Sequence, residues 1–261
     1  MPKFSANLDW LFTDLPYGER FAAAAAAGFT GVECLRPYAL PAADVRKKLE
    51  RYGTKMALIN TPPSSDGLLG IAATPGRSTE FLDGLRRAVD YAGEVGSPLV
   101  HAVAGVLDGD TAREDARAAF VDNLRAGLEV ASKAGITLTI EPINPFDVAG
   151  YFLNRSGEAA SIIAEIGHPG LRLQLDFYHR QIVEGGLSQA WEEFGSLVAH
   201  VQIAGVPGRN EPDTGEINYP HLFALMDRTG YDGWVGCEYR PAGKTLEGLR
   251  WAARWGIGLH S

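Results

Sequence analysis

The stretch Ile136-Thr-Leu-Thr-Ile-Glu-Pro-Ile-Asn144 decides the fold. Residues 136–140 favour extended structure and run straight into the carboxylate of Glu141. Pro142, which has no amide hydrogen, then ends the strand ladder. A carboxylate at the end of a buried strand is costly unless it is paired or meets a cation. Residues 171–176, 197–202 and 233–238 repeat the arrangement, with Asp176, Gln202 and Glu238 at their ends. Four apolar runs that end in oxygen-bearing side chains point to one shared site.

The spaces between these runs carry a recurring mark. A helix-like stretch ends in glycine and a short apolar strand follows, at Gly28, Gly53, Gly96, Gly135, Gly167, Gly195 and Gly230. Glycine accepts the left-handed conformation favoured just past a helix. The intervals of 25 to 43 residues match βα units with variable loops. With an opening strand at residues 3–7, the pattern predicts eight strands alternating with helices. That is an α/β fold of the (β/α)₈ TIM-barrel type, a single domain over residues 1–261. No glycine-rich turn follows the first strand, which argues against a doubly wound open sheet. Thr74-Pro75 reads as a helix cap, and residues 246–257 read as a final amphipathic helix. Long βα connections fall at 61–74, 145–155 and 204–219, lengths that are usually functional.

At 46% apolar and 21% charged residues the chain has the composition of an ordinary globular protein. A net charge of −8 offers no footprint for nucleic acid or an anionic membrane. No apolar run approaches the roughly 20 residues of a membrane span. The N-terminus lacks a secretory apolar region, so a cytoplasmic location is expected. The sequence is compatible with a homo-oligomer. Cys34 and Cys237 read as buried thiols without zinc-like spacing.

Barrel active sites form at the C-terminal ends of the strands. Here those ends carry Asn7, Glu33, Asn60, His101, Glu141, Asp176, Gln202 and Glu238, all polar. Glu141, Asp176, Gln202 and Glu238 supply three carboxylates and one amide oxygen. Three carboxylates in one cavity raise one another's pKa values unless a cation sits among them. An all-oxygen set suits Mg²⁺ or Mn²⁺ as cofactor. The alternative is a set of salt bridges to arginines at the rim.

The motifs Phe4-Ser-Ala-Asn7, Gly31-Val-Glu33, Ile140-Glu-Pro-Ile-Asn144, Gly150-Tyr-Phe-Leu-Asn154 and Leu175-Asp-Phe-Tyr-His179 resemble the hydroxypyruvate isomerase family. So do His200-Val-Gln-Ile-Ala204, Pro207-Gly-Arg209, Thr214-Gly-Glu-Ile-Asn-Tyr219 and Gly233-Trp-Val-Gly-Cys-Glu-Tyr-Arg-Pro241. The resemblance spans nearly the whole chain. The family is a branch of the xylose-isomerase-like barrels, which isomerise or epimerise sugars and sugar acids on a divalent metal. It implies Glu141 and Glu238 as the catalytic pair, metal ligation by Glu141, Asp176, Gln202 and Glu238, and a place in glyoxylate metabolism. Gly205, where the family pattern leads one to expect an acid, and Asn210, in place of a histidine, depart from it. Both lie after strand seven and bear on substrate choice.

The family's reaction converts hydroxypyruvate to tartronate semialdehyde by moving a carbonyl one carbon along through an enediolate. Two carboxylates serve as acid and base, and a divalent ion stabilises the enediolate. Arg209 and Arg240 are candidates for a fork to the substrate carboxylate, with Arg36 a third. His179, three residues after Asp176, matches a histidine that holds substrate oxygens in sister epimerases. His101 is placed to orient Glu141 or touch substrate, and Asn7 and Glu33 join the substrate-binding candidates. A buried ion pair is the alternative for Glu33. His200 lies one layer deeper than Gln202 and reads as a core histidine. Tyr151 and Phe152 read either as part of a lid or as packed loop aromatics. The rival readings are an isomerase of a four-carbon 2-oxo sugar acid, a ketose 3-epimerase, a metal-dependent endonuclease and a non-catalytic sugar-acid-binding module.

Overall fold

The computed structural model describes residues 2–258. Eight parallel strands close into a barrel in sequence order: β1 (Lys3–Asn7), β2 (Gly31–Cys34), β3 (Lys55–Asn60), β4 (Leu99–His101), β5 (Thr137–Ile140), β6 (Leu171–Asp176), β7 (Val198–Ile203) and β8 (Trp234–Cys237). The outer layer comprises α1 (Arg20–Ala26), α2 (Ala42–Tyr52), α3 (Ser78–Val95), α4 (Arg113–Lys133), α5 (Ser156–Ile166), α6 (Phe177–Val183), α7 (Leu187–Phe194), α8 (Tyr219–Arg228) and the short α9 (Thr245–Gly248). Parallel strands buried on both faces read as near-continuous apolar runs, the signal by which they were predicted.

Gly28, Gly53, Gly96, Gly135, Gly167 and Gly230 all take positive φ. Gly195 does not: it closes α7 at φ −54, against the ring of Trp191, and a 3₁₀ turn leads into β7. Two helix expectations are corrected. Thr74-Pro75 caps nothing, because Thr74 accepts from the Arg77 amide in a turn and α3 starts only at Ser78. The final segment is α9 followed by a 3₁₀ stretch, Leu249–Trp255, rather than one α-helix. There Trp251 and Trp255 pack edge-on against Phe4, each with ring centroids 5.4 Å apart.

Register builds the site. Asn7 pairs with Glu33, Asp176 with Gln202, and Gln202 with Gly236. Those side chains therefore share a level inside the barrel. Gly236 leaves a gap there, which the Glu33 carboxylate fills: a Cβ on Gly236 would stand 2.3 Å from Glu33 Oε2. The interior is thus polar as well as apolar, with Ser5, Asn7, Glu33, Thr139, Gln174, His200 and Gln202 all buried.

Candidate active site

A cavity of about 350 Å³ opens at the C-terminal end of the barrel. Glu141, His179, Arg209, Glu238 and His101 line it together with Trp10, Leu35, Arg36, Asn60, Thr61 and Leu69. Glu141 and Glu238 each stand one residue beyond their strands and line the cavity.

Asp176 caps α6: its Oδ1 accepts the Tyr178 amide at 2.7 Å. Its other oxygen, Oδ2, is buried with no hydrogen-bond donor. Its nearest cation is Arg209, 3.7 Å away. An unsatisfied buried carboxylate oxygen is what a cation seat requires. Oxygens of Glu141 and Asp176 and a nitrogen of His179 lie within 4.8 Å of one another, a group that could hold a metal ion.

His179 fits better as a donor than as a ligand. Asn144 accepts the amides of Phe146 and Asp147 through Oδ1, so its Nδ2 must donate to His179 Nδ1, at 2.7 Å. A neutral imidazole that accepts at Nδ1 carries its proton on Nε2. Burial, with Arg209 and His101 nearby, holds the His179 pKa well below the ordinary value and keeps the ring neutral. Nε2–H then points between Glu141 Oε1 (3.8 Å) and Asp176 Oδ2 (3.6 Å).

Gln202 takes the oxygen role more readily. Its Nε2 donates to Glu33 Oε1 and Glu238 Oε2, which leaves Oε1 accepting from Gln174 Nε2 at 2.7 Å. Gln174 Nε2 also donates to Glu141 Oε2 at 2.9 Å, so the Gln202 carbonyl lies on the Glu141 side with a second lone pair. That oxygen adds to the carboxylates of Glu141 and Asp176, whose atoms lie within reach of one common cation.

The electrostatics of metal-free carboxylates in this cluster are severe. Burial, reinforced by Glu238 and Asp176, pushes the Glu141 pKa well above the ordinary range. Burial raises Asp176 to about 6 despite Arg209. Glu238 is pushed up to about 8 by burial despite the attraction of Arg209, with Asp176 and Glu33 adding repulsion. His101 is buried with both ring nitrogens unpartnered, which lowers its pKa to about 3. Its Nδ1 lies 3.4 Å from Glu141 Oε2, too far and too poorly aimed to count as a hydrogen bond.

Arg209 adopts a left-handed backbone (φ 54) and reaches back over the site. It pairs with Glu238 at 2.6 Å and Asp147 at 2.9 Å and lies over the rings of Trp10 and Tyr178. Arg240 points elsewhere, into a neighbouring groove behind Trp10 with Thr13 and Lys244. Asn7 and Glu33 lie beneath the cavity, not on its wall. Glu33 and His200 Nε2 form a buried 2.8 Å pair, as the ion-pair and core readings expected. Tyr151 and Phe152 are packed, not lid-like: the Tyr151 hydroxyl accepts from the Ala104 amide, and Phe152 meets Phe120 edge-on. Sequence reasoning missed Trp10, Asn144, Asp147 and Gln174. Only Asn144 carried a local signal, as an Asx turn after Pro142.

A closed eight-stranded barrel with a carboxylate-rich seat at its C-terminal mouth is the architecture of a barrel enzyme. The xylose isomerase-like TIM barrel family matches residues 21–255, and the chain belongs to that family. It is 46% identical to the 2-oxo-tetronate isomerase of Cupriavidus necator over 96% of this chain and 97% of that protein. It is 39% identical to the hydroxypyruvate isomerase of Escherichia coli over 96% of this chain and 98% of that protein. A solved structure described as an AP endonuclease, family 2, from Brucella melitensis superposes with a TM-score of 0.95. It is 41% identical and covers 98% of this chain and 99% of that one. With such relatives over its full length, this chain is an enzyme of the isomerase class. Among the described residues no helix is long and apolar enough to cross a membrane.

Proposed function

We propose that this enzyme isomerises a short sugar acid by proton transfer between adjacent carbons, interconverting hydroxypyruvate and 2-hydroxy-3-oxopropanoate. The observation that carries the reading is the pair Glu141 and Glu238. Both line one cavity, both are buried, and desolvation raises both pKa values above the ordinary carboxylate range, that of Glu238 to about 8. Acid–base partners need pKa values near the working pH. One glutamate, as carboxylate, removes a proton from the hydroxymethyl carbon, and the electron pair becomes the C=C bond of an enediolate. The other returns a proton to the neighbouring carbon while the hydroxyl proton passes from the terminal oxygen to the former carbonyl oxygen, so the carbonyl moves by one position and no atom is gained or lost. His179 Nε2–H donates to a substrate oxygen, and Arg209 offers positive charge to the carboxylate.

Glu141, Asp176, Gln202 and Glu238 would hold a divalent ion, Mg²⁺ or Mn²⁺, which when bound supplies Lewis-acid polarisation of the substrate carbonyl. The buried, donor-free oxygen of Asp176 supports this reading.

A four-carbon 2-oxo acid is the second reading. The name of the Cupriavidus relative favours it, and so does the space between Trp10, Arg36 and Thr61. Phosphodiester cleavage, the activity named for the Brucella protein, sits poorly with a net charge of −8. The test is turnover of hydroxypyruvate against 2-oxo-tetronates, fructose and ribulose, each with and without Mn²⁺. Preference for hydroxypyruvate supports the first reading, and preference for the four-carbon acid supports the second. Equal turnover of ketoses lacking a carboxylate overturns both.

A further inference from the structure

Glu33 takes part in no contact with the cavity, yet it is the most heavily hydrogen-bonded carboxylate beneath it. Its Oε2 meets Ser5 Oγ and His200 Nε2, each at 2.8 Å, and its Oε1 accepts from Asn7 Nδ2 and Gln202 Nε2, each at 3.0 Å. The second pair matters for chemistry. Asn7 Nδ2 also donates to Glu238 Oε2 at 2.9 Å, and Gln202 Nε2 donates to the same oxygen. Each amide nitrogen has two hydrogens, and each spends one on Glu33 and one on Glu238.

The polarity of both amides is locked at the far end as well. Asn7 Oδ1 accepts the Asp9 amide at 3.1 Å, and Gln202 Oε1 accepts from Gln174. The oxygen ends are therefore engaged, and the nitrogen ends face the two glutamates. Without an acceptor at the position of Glu33, one hydrogen on each amide would be buried and unsatisfied. Either amide could then relieve that cost by rotating and presenting its oxygen to Glu238.

We propose that Glu33 is a positioning residue for Glu238: by accepting from Asn7 and Gln202, it keeps two N–H donors aimed at one oxygen of the glutamate that transfers the proton. Arg209 binds the other oxygen, so the carboxylate plane is fixed from both sides. The inference rests on Glu238 acting as acid or base. It adds that this action depends on an acceptor one level below, which never meets substrate.

The experiment compares Glu33→Leu, Glu33→Gln and Glu238→Gln in the metal-supplemented enzyme, with kcat expressed per folded molecule after a thermal melt. Glu33→Leu removes the acceptor, and kcat is expected to fall at least a hundredfold with KM changed less than threefold. Glu33→Gln is expected to restore at least a tenth of wild-type kcat. Its carbonyl can face Asn7 and Gln202, because the Ser5 hydroxyl rotates and His200, whose Nδ1 is unpartnered, can move its proton there. A merely structural residue would change the melting temperature and leave kcat alone. Glu33→Leu with kcat within threefold of wild type, or equal losses in the Leu and Gln variants, overturns the proposal. If Glu33→Leu does not fold, Asn7→Ser decides: a tenfold fall in kcat at constant KM supports it, and unchanged kcat overturns it. Glu238→Gln separates the two levels. If it turns over, the acid–base reading fails and takes this inference with it. If it is inactive while Glu33→Leu is active, only the positioning role fails.

Discussion

Glu33 and Glu238 are both buried, both touch Asn7 and Gln202, and differ in electrostatic fate. Burial alone would raise the Glu33 pKa. The attraction of His200 and the hydrogen bonds from His200, Gln202 and Ser5 outweigh burial and hold the carboxyl below its ordinary range. For Glu238 burial dominates, with Asp176, Glu33 and Asp9 adding to it against the attraction of Arg209, and its pKa rises to about 8. The barrel thus favours the charged form of one glutamate and the protonated form of the other, which suits the second to the proton-carrying role proposed for it. Surroundings, not residue type, divide structural from catalytic carboxylates.

The hardest attempt to break this contrast is replacement of the proton carriers. Glu141→Gln and Glu238→Gln are each expected to lower kcat by about a hundredfold to ten-thousandfold while the fold stays intact. Substantial turnover in either would refute a two-carboxylate mechanism. Metal removal comes next: chelation is expected to abolish activity and Mn²⁺ or Mg²⁺ to restore it, checked by assay beside elemental analysis. An active enzyme verified to be metal-free would contradict the seat.

The raised pKa of Glu238 also predicts how metal-free stability varies with pH. Above about pH 6.5 an unfolded glutamate is ionised. The folded protein still holds the Glu238 proton until about pH 8, so stability falls as pH rises from 6.5 to 8. The slope is up to about 1.4 kcal/mol per pH unit for that one proton. Thermal melts should show the decline in the metal-free protein and a flatter profile in Glu238→Gln. Identical profiles would place the Glu238 pKa near its ordinary value. Glu33 contributes oppositely, with stability lost only as pH falls below the ordinary glutamate range.

Smaller effects sharpen the rim. Arg209→Lys loses the planar fork and is expected to raise KM for carboxylated substrates about tenfold, measured by steady-state kinetics. Unchanged KM would free the carboxylate from Arg209. Arg240→Ala should alter KM less than about twofold, because its side chain lies in the groove behind Trp10. A large rise would bring Arg240 into the substrate pocket.

Much of this was legible from local pattern. Strand-terminal polar residues follow from apolar runs that stop at Glu141, Asp176, Gln202 and Glu238, and the barrel follows from glycine punctuation. What lay across strands was not. Whether Glu33 faced substrate or sat beneath it depended on a gap at Gly236, two strands away around the barrel. The tautomer of His179 depended on Asn144, 35 residues earlier in the chain. Arg209 and Arg240 looked alike after strands seven and eight. A left-handed backbone at Arg209 turned one over the site, and the other was left outside.

The most direct test of the acid–base pair is nuclear magnetic resonance of hydroxypyruvate turnover in D₂O by the metal-loaded enzyme. The account predicts deuterium incorporated at the carbon that receives the proton. It also predicts that incorporation and isomerisation are lost together in Glu141→Gln and Glu238→Gln. Full retention of the substrate hydrogen, with both variants still active, would mean direct hydride transfer and would contradict the proton-carrying role given to the two glutamates.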